Sequence, residues 1–231
     1  MFVPLKDRNQ LRVIPFPYVN VGIIVVTVAI FFLFQSGLVF SLQNGDLAFA
    51  VIPAVVFDFK TLPEGFIELP ADLTLVTYVF LHGGWLHLAG NMAFLWVFGD
   101  NIEDAMGHVN YLIFYLLCGV AAGLAHAVMQ PSSEAPLVGA SGAVAGVIAA
   151  YLMLHPRVKV WVLVLWRVPL LLPAYLVLGL WVGFQVFNVV LAGPEDGVAW
   201  WAHIGGLAAG ALLIVVFKRR DVPLFDRDLP R

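Results

Sequence analysis

The stretch that decides the architecture is residues 199–217, AWWAHIGGLAAGALLIVVF. It contains no Asp, Glu, Lys or Arg, and about 20 largely apolar residues are what a helix needs to cross a bilayer. One ionisable side chain, His203, nevertheless stands in its first turns. Such a residue is expensive in lipid and is read first as a functional group. Gly206 and Gly210 follow His203 at helical spacing, a stripe of small residues that lets two backbones approach closely.

Working outward, the rest of the chain has the same character. Of its 231 residues, 61% are hydrophobic and 12% charged, against roughly a quarter charged in a soluble domain. Further apolar runs place spans at 21–40, 84–98, 111–129, 137–154 and 169–191, which with 199–217 makes six. The fold class expected is an all-α membrane protein. Gly99-Asp100, Gln130-Pro131-Ser132-Ser133, His155-Pro156 and Gly193-Pro194 separate the runs. Residues 41–83 form a long first loop whose apolar patch, 49–57, is expected in or near the membrane interface. The stretch 1–20 lacks the pattern of a cleavable signal peptide, and 218–231 reads as a polar tail.

Basic residues give the orientation. Lys6, Arg8 and Arg12 precede the first span, Arg157, Lys159 and Arg167 separate the fourth and fifth, and Lys218, Arg219, Arg220, Arg227 and Arg231 follow the sixth. With both termini cytoplasmic, eleven of the twelve basic residues lie inside and only Lys60 outside. A net charge of −3 gives no case for nucleic acid. Cys118 is the single cysteine, so it forms no intrachain disulfide and reads as a buried structural thiol.

Spans two, four and six run the same way, from outside to inside, and each carries polar groups within about two turns of its start: His87 and Asn91, Ser141, and His203. At 1.5 Å per residue these share one layer roughly 5–10 Å below the outer surface. A serine hydroxyl becomes a nucleophile when an adjacent base takes its proton, and histidine is the usual base. Acyl transfer also needs donors aimed at the developing oxyanion; Asn91, His87 (four apart, on one helix face) and the Ser141 backbone can supply them. Gly142, Ala145, Gly146 and Ala149 line the fourth span below Ser141, facing the glycines of the sixth. Singly, Ser141 reads as a helix cap and His87, Asn91 and His203 as packing residues; together they would share a depth by accident. His82 is assigned a loop-holding role. No metal is expected, since the histidines lack the helix-borne H-E-x-x-H pattern, and no cofactor. Asp100, Glu195 and Asp196 are not nominated as a third catalytic member.

These residues resemble the rhomboid family of intramembrane serine proteases. Gly139-Ala140-Ser141-Gly142 is similar to its G-x-S-G motif, His82 to Asn91 to its H-x4-H-x3-N segment, and Ala202-His203-Ile204-Gly205-Gly206 to its A-H-x-x-G segment. The resemblance covers about residues 18–217. It implies a six-helix membrane domain over 21–217, with neither a seventh span nor a soluble appendage, in a bacterial cytoplasmic membrane. It implies a Ser141–His203 dyad, an oxyanion site at His87 and Asn91, and single-span membrane proteins as substrates. Trp181 and Gln185 resemble a W-x3-Q pattern on span five, beside the expected lateral access for substrate, and read equally as packing residues. The tyrosine some members carry four residues after the serine is Ala145 here, and the Trp-Arg pair of some first loops is absent, so what orients His203 stays open. The alternatives are a catalytically silent scaffold, which typically lacks the serine or histidine kept here, and a transporter, against which the apolar cytoplasmic halves of the spans argue.

Overall fold

The computed structural model describes residues 2–39, 45–62, 69–165, 167–191 and 198–226. Glu195, Asp196, Arg227 and Arg231, and the end of the first span at residue 40, lie outside them. In chain order the elements are β1 (Phe2–Asp7), α1 (Tyr18–Gln35), α2 (Gly45–Phe49), α3 (Pro53–Val56), α4 (Ala71–Phe80), α5 (85–106), α6 (His108–Met129), α7 (Ser141–Leu154), β2 (Lys159–Val164), β3 (Val168–Pro173), α8 (Ala174–Leu191) and α9 (Trp200–Phe217).

The protein is mostly helical. Among the described residues four helices, α1, α6, α8 and α9, are long and apolar enough to cross a membrane. Their outer faces expose Val26, Ile113, Phe187, Leu212 and Val216, a surface suited to lipid rather than water. The shorter α7 stands in the middle, its residues buried on almost every side. A helix that is apolar all round is one surrounded by protein. It packs against α6 through Gly146, over which Cys118 lies: a Cβ at 146 would fall 2.5 Å from the thiol sulfur. The cysteine is buried and unpaired.

The first helix runs Tyr18–Gln35 where 21–40 was expected, the third starts at His108 where 111 was expected, and three further boundaries differ from the sequence reading. The fourth helix starts at Ser141 rather than 137, because Gly139 turns the chain at φ 124° and Leu137 pairs with Val51 in an isolated bridge. The second continues through Gly99 to Met106, with a π-turn at Leu95–Gly99. Asn20 reaches into that turn, its Nδ2 donating to Leu95 O at 2.9 Å while its Oδ1 accepts the Tyr111 hydroxyl at 2.8 Å. Gly99 is thus a site of close approach, not a break: a Cβ there would sit 2.6 Å from the Tyr111 oxygen. The fifth helix starts at Ala174, since 168–173 is β3. Strand β2 pairs antiparallel with both β1 and β3, buries Val160 and Val162 on one face, and suits the β-branched alternation of the segment.

Glu103 and Asp104, beyond the end expected for the second span at 98, are helical and buried. Asp104 accepts the N–H groups of Arg12, Val13 and Ile14 at 3.0, 2.9 and 2.8 Å. Glu103 accepts those of Val19 and Asn20 at 3.1 and 2.7 Å and pairs with His108. Together they satisfy the backbone leading into α1. Arg219 N bonds Ala105 O at 2.9 Å, and Phe225 N bonds Met153 O at 2.7 Å. The N-terminal strand, the β2–β3 hairpin and the C-terminal segment therefore gather at one end of the bundle. At the other end the first loop packs on protein: Val51 and Ala54 are buried, and Ala54 N donates to Ser133 O at 3.0 Å.

Candidate active site

Ser141 is the first residue of α7. The two N–H groups before it are engaged, Gly139 N with Tyr78 O at 3.0 Å and Ala140 N with His82 Nε2 at 3.5 Å. The Ser141 N–H, at a helix start, has no carbonyl of its own helix to bond. Glycine at 139 is required twice over: φ is 124°, and a Cβ would fall 2.7 Å from His87 Nε2. His87 thus lies against the backbone two residues before the serine. Gly83 N donates to His87 Nδ1 at 3.4 Å, which leaves the proton of the neutral ring on Nε2, the nitrogen beside Gly139. One turn on, Asn91 Nδ2 donates to His87 O at 3.0 Å, and its second N–H remains to serve the cavity.

His203 comes from the first turn of α9. Its Nε2 is 2.9 Å from Ser141 Oγ, within hydrogen-bond reach. The approach depends on the glycine stripes: a Cβ at 206 would strike Gly142 O and lie 2.8 Å from Gly142 C, and one at 210 would fall 2.5 Å from Gly146 Cα. His203 Nδ1 is 2.7 Å from Gln185 Oε1 on α8. Its ring is flanked by Trp181 and Trp200, with centroids 5.9 and 6.0 Å away.

An open cavity of about 720 Å³ is lined by His87, Asn91, His126, Ser141, Trp181 and His203, among others. The four residues nominated from sequence therefore border one space. His82 touches the site from behind, through Ala140 and an edge-on contact with His87 at 5.0 Å, in keeping with a loop-holding role. Asp100 belongs to the opposite end, beside Asn101 and the β1 region. Two residues were missed or undervalued, His126 in the cavity wall and Gln185 behind His203. His126 is 7% exposed, and its Nδ1 has no partner among the described residues; an ionisable group inside an apolar run was the available signal. Gln185 was noted for its motif but not for its bond to the histidine.

This is the layout of an integral membrane protein with a serine–histidine pair opening on a cavity inside its helical bundle. The Rhomboid domain matches residues 71–220, and the chain belongs to the rhomboid family. It is 31% identical to Rhomboid-like protein 11, chloroplastic, of Arabidopsis thaliana over 175 residues, covering 71% of this chain and 59% of that protein. Rhomboid protease GluP of Bacillus subtilis is 32% identical over 136 residues, 59% of this chain and 24% of GluP. Inactive rhomboid protein 1 of Drosophila melanogaster is 35% identical over 89 residues, 38% of this chain and 6% of that protein. This chain spans at most 59% of the length of these relatives.

Proposed function

We propose that the chain is an intramembrane serine endopeptidase that cuts single-span membrane proteins in or near their spanning segment. The observation that carries this reading is the 2.9 Å approach of Ser141 Oγ to His203 Nε2 at the wall of the cavity. In the proposed reaction Oγ attacks the scissile carbonyl while His203 takes its proton. The new oxyanion turns toward the Ser141 N–H, the His87 ring N–H and the Asn91 amide, which stabilise charge that the ground state lacks. Collapse breaks the C–N bond, and His203 gives its proton to the departing amine. Water from the cavity then attacks the acyl-enzyme, again with His203 as base, and releases the second fragment.

The proposed topology is six spans with both termini cytoplasmic, in a bacterial cytoplasmic membrane. It is supported by the lysines and arginines: Lys6, Arg8, Arg157, Lys159 and Arg219 gather at the end opposite the serine. A second reading, a catalytically silent scaffold, is favoured by the likeness to a relative named inactive. The test is cleavage of a single-span substrate in proteoliposomes by wild type and Ser141→Ala. Cleavage by wild type alone supports the protease; cleavage that persists in the variant, or a folded wild type that never cleaves, sinks it.

A further inference from the structure

The neutral imidazole of His203 has two tautomers, and only one can accept a proton from Ser141. If Nε2 carries the hydrogen, the ring can only donate toward the hydroxyl. Which tautomer is present is set by the hydrogen bond that the other nitrogen makes. That nitrogen, Nδ1, faces Gln185 Oε1 at 2.7 Å.

The orientation of the Gln185 amide is itself determined. Its Nε2 lies 3.2 Å from the carbonyl oxygen of Trp181. A carbonyl can only accept, so the NH₂ must point there and the amide oxygen must point at His203. An amide oxygen likewise only accepts, so Nδ1 must carry the proton and Nε2 must present a lone pair to Ser141 Oγ. Gln185 is 3% exposed, so water cannot readily take its place. Trp181 and Trp200 limit how far the ring can turn, but a ring contact does not choose a tautomer.

From this geometry we propose that Gln185 is the positioning residue of the base, the third member of a Ser141–His203–Gln185 relay that holds His203 in its proton-accepting form. The proposal rests on the protease reading above. A neutral amide suits this place physically: among the described residues, a carboxylate buried here would have to meet its desolvation cost with no cationic partner other than the histidine itself. The amide fixes the tautomer without adding a charge, and so does less than a carboxylate to stabilise the imidazolium that forms in the reaction.

The experiment compares wild type, Gln185→Met and Gln185→Glu in proteoliposomes, measuring kcat, KM and the pH dependence of kcat/KM on a single-span substrate, with thermal unfolding in detergent alongside. General acid–base catalysis contributes about 10²–10⁴-fold, so losing its orientation in Gln185→Met should lower kcat by about 10–10²-fold with KM within about twofold. Gln185→Glu should keep more activity than Gln185→Met and move the acidic limb of the pH profile upward, because a carboxylate favours the protonated ring. A residue that only packs α8 on α9 would shift the unfolding temperature and leave the limb in place. A Gln185→Met kcat within twofold of wild type overturns the proposal. Should that variant not fold, the Gln185→Glu profile decides: an unmoved limb overturns the proposal and an upward shift upholds it. A folded wild type that does not cleave is a different failure, that of the protease reading.

Discussion

Gly206→Ala should cost most of the activity by parting the two helices that carry the Ser141–His203 pair. A Cβ at 206 would lie 2.8 Å from Gly142 C and meet the carbonyl oxygen of the same residue. Carbon–carbon contacts are comfortable at about 3.5–4.0 Å, so α7 and α9 must part locally by about 1 Å. Both Gly142 and Gly206 lie within one turn of the dyad. The Ser141–His203 separation, 2.9 Å in the native packing, would then approach ~4 Å, beyond hydrogen-bond range. A misplacement of about 1 Å at the reacting groups costs about 10²-fold, and overpacking costs about 1–3 kcal/mol of stability. The assay is kcat/KM on a single-span substrate in proteoliposomes, with unfolding followed in parallel. Gly179→Ala is the matched control, since a Cβ there meets nothing within 4 Å. A folded Gly206→Ala within threefold of wild type would refute the argument that glycine packing sets the catalytic distance.

Three further outcomes are expected. Asn91→Ala should lower kcat by about 10²–10³-fold if its amide stabilises the oxyanion; a variant that is less stable but normally active per folded molecule would make Asn91 packing only. Asp104→Ala removes the acceptor of three backbone N–H groups, and thermal unfolding in detergent should register a loss of about 1–3 kcal/mol; an unchanged transition would mean that solvent replaces these bonds freely. Burial pushes the Asp7 carboxyl above its ordinary value of 3.8, partly offset by the Tyr151 hydroxyl that donates to it. With a raised value in the folded state, its contribution to stability is present below 3.8 and lost as pH climbs through the raised value. Asp7→Asn should therefore gain on wild type as pH rises from about 3.8, and parallel stability curves would contradict this.

Much of the site was legible because lipid makes polar residues conspicuous. His87, Asn91, Ser141 and His203 each interrupt an apolar run, and their common depth follows from helix rise alone. The glycines at 142, 146, 206 and 210 could be read as a packing seam for the same reason. Boundaries were less accessible, since an unbroken apolar run carries no period. The segment 168–173 has the hydrophobicity of a span but folds as a strand, paired with β2 through contacts that hydropathy does not encode. Gly99 looked like a break, although its role is to admit Asn20 and Tyr111, which are distant in sequence. The structural role of Asp104 and Glu103 could not be read locally, because their partners are backbone N–H groups some ninety residues earlier. Gln185 could be singled out by motif, but its meaning depends on where its amide points, and only the position of the Trp181 carbonyl fixes that.

The central claim is that Ser141 is made nucleophilic by His203. It is tested most directly by exposing the purified protein to a fluorophosphonate, whose fluoride is displaced by an activated serine oxygen, and mapping the adduct by mass spectrometry in wild type, Ser141→Ala and His203→Ala. The account predicts a single adduct on Ser141 in wild type and none in either variant. A folded wild type that stays unlabelled, or a His203→Ala protein labelled as fast as wild type, would contradict it.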